Sequence, residues 1–316
     1  MQKDNEYMTY FDKDLLEIRK TIIYNLQDRD VNTQSLINKL GTVEGKLIRA
    51  IFVLIGGSFG KIEKSKLINI SAAMEILHLA TLVHDDIIDE SDLRRGKVTI
   101  NATHGTKSAL FMGDYLFSES YVLFSKCSSP QSIINVSETI KVICKSEINQ
   151  FLTTYSLNST IRDYLRRING KCATLFSLSL SIGAYEGGAD KKVIQALNKI
   201  GYYAGMAFQL IDDILDITTA KATLGKPSEN DIKKGIYSLP VIYEIKEKNE
   251  ELINALENND LTNVLEILKN SQGLKKSKEI AEKFTYKALK LIDELPDNQE
   301  KLVLKVIVET MLNRSF

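Results

Sequence analysis

The tightest constraint on what this chain can fold into is its shortage of proline. Only Pro130, Pro227, Pro240 and Pro296 interrupt 316 residues, so long stretches contain nothing that forbids a helix. Those stretches carry apolar residues at i, i+3, i+4 and i+7, the spacing that gathers them on one helical face. Ile68, Ala72, Ile76, Leu79 and Val83 form one such row, with Glu75 as its polar member. Ile194, Leu197, Ile200, Ala204, Phe208, Ile211 and Leu215 form another, which predicts a long helix over Val193 to Thr218. Alternating strand patterns are scarce. Gly41 and Gly56-Gly57 punctuate the first third, and the stretches at 128–131 and 187–190 read as helix-to-helix turns. GKPSENDIKKG, 225–235, reads as a polar loop. Without a repeat, low-complexity tract or linker, the expectation is an all-α protein with a single domain over 1–316.

Lys plus Arg number 41 and Asp plus Glu number 41. A zero formal balance leaves no electrostatic footprint for nucleic acid. Cys127, Cys144 and Cys172 are isolated, which argues against a disulfide framework and a zinc site and points to the cytoplasm. The charged N-terminal stretch lacks the apolar core of a signal peptide. No unbroken apolar run reaches the roughly 20 residues that span a bilayer, so any membrane contact is expected to be peripheral.

Against that background two acid clusters stand out, DDIID at 85–89 and DDILD at 212–216. In a helix, residues four apart share a face, which pairs Asp85 with Asp89 and Asp212 with Asp216 and leaves Asp86 and Asp213 to the side. A single DDxxD is most simply a solvated helix end. Two copies, each embedded in apolar helix, would bury several carboxylates at prohibitive cost unless something positive neutralised them. Hard oxygen donors of this kind suit Mg²⁺, which completes its shell with water and phosphate oxygens.

The chain resembles the trans-isoprenyl (polyprenyl) diphosphate synthases in GKLIR at 45–49, LHLATLVHDDIIDESDLRRG at 77–96, GDYL at 113–116, GKCATLF at 170–176, FQLIDDILD at 208–216, GKP at 225–227 and SLPVI at 238–242, in that order. The resemblance implies an isoprenoid synthase-type helical bundle around a deep apolar cavity, with both acid motifs at its mouth. It implies a reaction in which an allylic diphosphate ionises, condenses with isopentenyl diphosphate and loses a proton to the released diphosphate. It implies Mg²⁺, three ions with substrate bound, held by Asp85, Asp86, Asp89, Asp212, Asp213 and Asp216. Asp85, Asp89 and Asp212 are the direct ligands in that scheme. It further implies Arg94, Lys171 and Lys226 on the allylic diphosphate; Lys46, Arg49, His78 and Arg95 on isopentenyl diphosphate; and Gln209 beside the allylic cation. His84 is expected to support the metal ligands from behind.

Three positions depart from the family pattern. Cys172 stands where threonine is common, Leu47 where a basic residue is usual, and Ile236 where a lysine is expected. The family sets product length on the helix before the first acid motif. Ala80 and Thr81 are small there, with Leu77 and Met74 further down, so the aromatic obstruction of short-chain members is absent. A helical turn rises about 5.4 Å, close to one isoprene unit, and the expected product is hexaprenyl to octaprenyl diphosphate for a quinone side chain. A farnesyl or geranylgeranyl synthase is the shorter alternative. A homodimer is expected, or the catalytic half of a two-component enzyme with a small partner. A terpene cyclase would pair one DDxxD with a different metal motif and needs no isopentenyl site. A regulatory subunit would be expected to have lost metal ligands, and none is missing.

Overall fold

The computed structural model describes residues 9–40, 45–94, 96–218 and 231–312. Helices dominate them, as the proline shortage and the helical periodicity require. The chain divides into two compact units, Met1–Val136 with Ser179–Ile194, and Ser137–Leu178 with Gln195–Phe316.

The first unit is organised around α4 (Lys64–Ile88), on which α1 (Asp12–Asn25), α3 (Ile48–Gly57) and α5 (Ile100–Cys127) pack. A short α2 (Val31–Lys39) sits against α5. By length and composition α4 could cross a membrane, but most of it is buried within the protein. Ala72, Ala73, Met74, Ile76, Leu77 and Ala80 are fully enclosed, so its apolarity goes into the core. Gly56 and Gly57, read from sequence as punctuation, instead form the last turn of α3. Close packing explains them. A Cβ on Gly56 would lie 2.1 Å from the Leu180 carbonyl oxygen, and one on Gly183 would lie 2.1 Å from that of Val53. Here α3 meets α8 (Thr174–Glu186) backbone to backbone. A two-stranded hairpin, β1 (Leu93–Arg94) with β2 (Lys97–Val98), follows α4 and turns at Gly96, φ +77°.

The second unit carries α7 (Ile161–Ile168), a π-helical turn (Asn169–Ala173) and most of α9 (Lys191–Thr218). Thr160 and Asp163 close a reciprocal capping box at the start of α7. Then come α10 (Leu239–Lys246), α11 (Glu250–Glu257), α12 (Leu261–Lys269), α13 (Gln272–Asp293) and α14 (Gln299–Leu312). Helix α10 packs on α13 through Gly273, where a Cβ would meet the Pro240 carbonyl at 2.5 Å. Glu244 accepts the Gly273 N–H at 2.7 Å and closes that contact.

One buried carboxylate in the first unit holds three chain segments. Glu186, at the end of α8, accepts from the Ser129 N–H (2.8 Å), the Ser129 hydroxyl (2.7 Å) and the Ser132 hydroxyl (2.5 Å). These groups belong to the N-terminal end of α6 (Pro130–Leu152), where a negative charge complements the helix dipole. Lys66 pairs with the other oxygen at 2.7 Å, and the Glu186 side chain is only 2% exposed. Burial alone would raise its pKa; the lysine and serine hydrogen bonds outweigh it and hold it at about 2, against an ordinary 4.5. Because the folded value is the lower one, the stabilisation is present above the ordinary range and is lost as pH falls toward 2. The shift corresponds to roughly 3 kcal/mol. Glu186→Gln is expected to lower unfolding free energy at pH 7 by about 1–3 kcal/mol and to flatten the acid limb of the stability curve. Denaturant titrations at stepped pH measure both, and a variant that tracks the parent through the acid range contradicts the assignment.

Candidate active site

The first acid motif terminates α4. Asp89 is the C-cap residue, and its N–H still bonds the Asp85 carbonyl at 2.8 Å. That bond carries the helical geometry through the motif, so Asp85 and Asp89 lie one turn apart on one face. Both are half-buried. They sit where the helix dipole is negative, and no basic residue occupies the last turn. Like-charge repulsion and the dipole therefore both disfavour this arrangement, and a bound cation would relieve both.

Asp86 is different. It is 7% exposed and accepts from the Arg94 Nε at 2.6 Å, which ties the hairpin back onto α4. Burial pushes its carboxyl up, and the arginine pulls against that. Arg94 thus contacts Asp86 directly. Arg95 lies outside the described residues.

The open side of α4 has a pattern of its own. Glu75, His78, Leu82, Asp85 and Asp89 are half-buried and recur at alternating steps of three and four, one continuous stripe. Glu75 accepts the Ala50 N–H at 2.9 Å. That bond fastens the N-terminal end of α3, which carries Arg49 and is preceded by Lys46, one turn from His78. Arg19 grips the same segment through the Gly45 carbonyl at 2.9 Å. Leu47 adopts a left-handed φ of 46° there. A helix N-terminus flanked by Lys46 and Arg49 is suited to an anion. Three of the four residues expected on isopentenyl diphosphate are thereby gathered. His84 faces elsewhere. Its ring lies 5.4 Å from that of Phe117 and its Nε2 3.4 Å from Asp114. A Cβ on Gly113 would strike that ring at 2.2 Å, which explains the glycine of GDYL.

The second motif is built by a row at every fourth residue of α9: Gly201, Gly205, Gln209, Asp213. A Cβ on Gly201 would sit 2.6 Å from the Phe176 carbonyl oxygen, and one on Gly205 would sit 2.5 Å from the Ala173 Cα. The two glycines let α9 touch the backbone of the π-helical turn and its exit. One and two turns further on, the same row presents Gln209 and Asp213 beside that turn. Asp213 accepts from the Tyr164 hydroxyl at 2.7 Å and the Gln209 amide at 2.9 Å. Burial raises its carboxyl, and these two bonds oppose the rise. Asp212 is half-buried and Asp216 exposed.

The π-helical turn holds Cys172 buried and Lys171 exposed. Such one-residue insertions in α-helices recur at functional sites. Gly170 is required there, since a Cβ would lie 2.2 Å from that of Ser146. A pocket in this unit is walled by Gln150, Arg167, Lys171, Gln209, Asp213, Asp216, Asp231, Ile232, Ile236 and Ser238. Lys226 lies outside the described residues. Ile236, the departure from the family lysine, is part of the wall.

Sequence reading missed Tyr164, Arg167, Gln150 and Asp231, because none sits in a spaced motif. Arg167 donates to the Tyr237 carbonyl at 2.5 Å and lies over the Tyr164 ring at 5.2 Å. The one available signal was ThrIleArgAsp at 160–163, a helix start that fixes the face of α7.

Among the described residues no three acids, histidines or cysteines converge into a ready-made metal cage. Each motif offers outer carboxylates and keeps its middle one bonded within the protein. That donor set fits Mg²⁺ held by one or two carboxylates per ion and completed by phosphate oxygens.

Comparison with known proteins gives the same picture. The heptaprenyl diphosphate synthase component 2 of Bacillus subtilis is 37% identical over 277 residues, 86% of this chain and 80% of that protein. The crystal structure of heptaprenyl diphosphate synthase from Staphylococcus aureus matches with a TM-score of 0.88 at 32% identity, covering 96% of this chain and 98% of that one. The geranylgeranyl pyrophosphate synthase of Lactobacillus brevis matches with a TM-score of 0.91 at 30% identity, covering 96% and 97%. These likenesses bear out the all-α isoprenoid synthase fold. The polyprenyl synthetase family model matches residues 31–306, and with a match of that extent over both acid motifs the chain belongs to the polyprenyl synthetase family.

Proposed function

We propose that this protein is the catalytic chain of a medium- to long-chain trans-polyprenyl diphosphate synthase. It extends an allylic diphosphate with successive isopentenyl diphosphates to hexaprenyl through octaprenyl length, for a quinone side chain. The observation that carries the reaction class is the shared design of the two motifs, each a pair of carboxylates one helical turn apart around a middle carboxylate bonded within the protein. When bound, Mg²⁺ supplies charge stabilisation to the departing diphosphate. Asp85, Asp89 and Asp212 hold it, and Asp216 adds a carboxylate one turn beyond Asp212. Lys171 contributes a fixed cation where negative charge develops. Gln209 commits its amide N–H to Asp213, which leaves its carbonyl oxygen as the electron-rich end for the allylic cation. Lys46, Arg49 and His78 position isopentenyl diphosphate, with Arg95 and Lys226 completing the cationic set.

The relatives support a reading of product length and assembly. The B. subtilis protein is named as component 2 of a heptaprenyl diphosphate synthase, which supports a heptaprenyl-range product and a small non-catalytic partner; a homodimer is the alternative. The chain works as a single catalytic domain in the cytoplasm, and contact with a membrane is confined to product release.

Replacing Asp212 by Asn is expected to lower turnover by about two to three orders of magnitude at saturating Mg²⁺. Assay with farnesyl diphosphate, isopentenyl diphosphate and Mg²⁺ reads this directly, and near-parental turnover defeats the metal assignment. Position 81 tests chain length. Ala80, Leu77 and Met74 are fully enclosed, whereas Thr81 is half-buried. Thr81→Phe is therefore expected to fold and shorten the product to the farnesyl or geranylgeranyl stage. Ala80→Phe overpacks a filled site and is expected to lose about 1–3 kcal/mol of stability. Chromatography of the products with melting curves separates the two, and a full-length product from Thr81→Phe means that the growing chain does not pass that side of α4.

A further inference from the structure

Tyr155 is 60% exposed, yet it holds a left-handed φ of 58°. A bulky residue adopts that conformation only when its surroundings impose it. With most of its ring in solvent, burial does not account for the strain. Its hydrogen bonds do. The Tyr155 hydroxyl donates to the Lys233 carbonyl at 2.5 Å, and the Tyr155 N–H donates to the Gly235 carbonyl at 2.9 Å. One residue thereby grips a turn 78 positions away with both its side chain and its backbone. The turn is closed on itself by Gly235 N–H to Ile232 O at 2.9 Å and Ile236 N–H to Asp231 O at 2.8 Å. Gly235 matches the grip: its φ is +69°, and a Cβ there would lie 2.4 Å from the Tyr155 nitrogen.

That turn forms one wall of the pocket. Asp231, Ile232 and Ile236 face the same space as Lys171, Asp213 and Asp216. Its far end is tied down independently, where Arg167 donates to the Tyr237 carbonyl at 2.5 Å. The segment is thus fastened at two points, on the inside by Arg167 and on the outside by Tyr155.

The geometry points to Tyr155 as a positioning residue: with Gly235 it latches the 231–236 turn in the pose that completes the metal-diphosphate wall beside the second acid motif. It touches neither substrate nor metal and acts through Asp231 and its neighbours. This assignment rests on the synthase reading given above. It accounts for a strained, exposed tyrosine on a loop that no family motif covers. It also predicts an effect confined to one substrate, because the residues gathered for isopentenyl diphosphate lie on α3 and α4.

The test uses the full chain with Tyr155→Phe, Tyr155→Gly and Gly235→Ala. Tyr155→Phe keeps ring volume and deletes one hydrogen bond. It is expected to raise the KM for farnesyl diphosphate and the half-saturating Mg²⁺ about five- to tenfold, with the KM for isopentenyl diphosphate unchanged. Tyr155→Gly relaxes the backbone while removing the side-chain grip, so it is expected to show the larger kinetic defect without a lower melting temperature. Gly235→Ala is expected to weaken the same two parameters. Calorimetric titration of inorganic diphosphate with Mg²⁺ gives a readout independent of turnover and is expected to weaken in parallel. Parental diphosphate binding and parental KM values in Tyr155→Phe overturn the latch, as does a lower melting temperature with no change in either. If the parent chain binds no inorganic diphosphate with Mg²⁺, the synthase reading fails and the latch's role fails with it. An active parent with an unaffected Tyr155→Phe removes the latch alone.

Discussion

The second acid motif depends on a close approach of two backbones. Gly201 and Gly205 remove the side chains that would hold α9 away from the π-helical turn. Because a helix repeats its face at about every fourth residue, the same contact brings Gln209 and then Asp213 beside that turn. Tyr164, one α7 turn before the π-helical turn, then reaches Asp213 with its hydroxyl. A methyl group at either glycine would separate the two segments and disturb the acid, its two hydrogen-bond donors and Lys171 together.

Both motifs divide labour among their aspartates in the same way. The middle acid, Asp86 or Asp213, is bonded inside the protein, to Arg94 in one case and to Tyr164 and Gln209 in the other. The outer acids remain at surfaces that water reaches. Two carboxylates one turn apart repel each other, and a bound cation would relieve that repulsion. The middle acids thus orient the helix ends, and the outer acids supply charge. Arg94 shares in this by linking the hairpin to Asp86 close to the acids whose charge its own guanidinium complements.

Much of the site was legible in the sequence because helical spacing is a local property. The i, i+4 relation alone pairs Asp85 with Asp89 and Asp212 with Asp216, and the resemblance names Lys46, Arg49, His78, Lys171 and Gln209. Sequence could not separate the middle aspartates from the outer ones, since all lie in the same short strings and no spacing rule assigns Arg94 to Asp86 or the distant Tyr164 to Asp213. Tyr164 is 49 residues from Asp213. Glu75, read as the one polar member of an apolar row, turned out to hold the N-terminal end of α3 in place. Gly56-Gly57 looked like a boundary because glycine is a poor helix former, and close packing against α8 overrode that preference.

What the sequence determined by itself is the helical class and the two pairs of outer carboxylates. These follow from proline scarcity, periodicity of 3.6 and spacing of four, all of which act within one or two turns of chain. The tertiary structure alone decided that Asp213 is bonded by Tyr164 and that Ala80 is enclosed while Thr81 is partly open. It also decided that a strained Tyr155 fastens the pocket wall. Each of these depends on groups tens of residues apart coming within hydrogen-bond or van der Waals distance, and that proximity is created only when the helices pack.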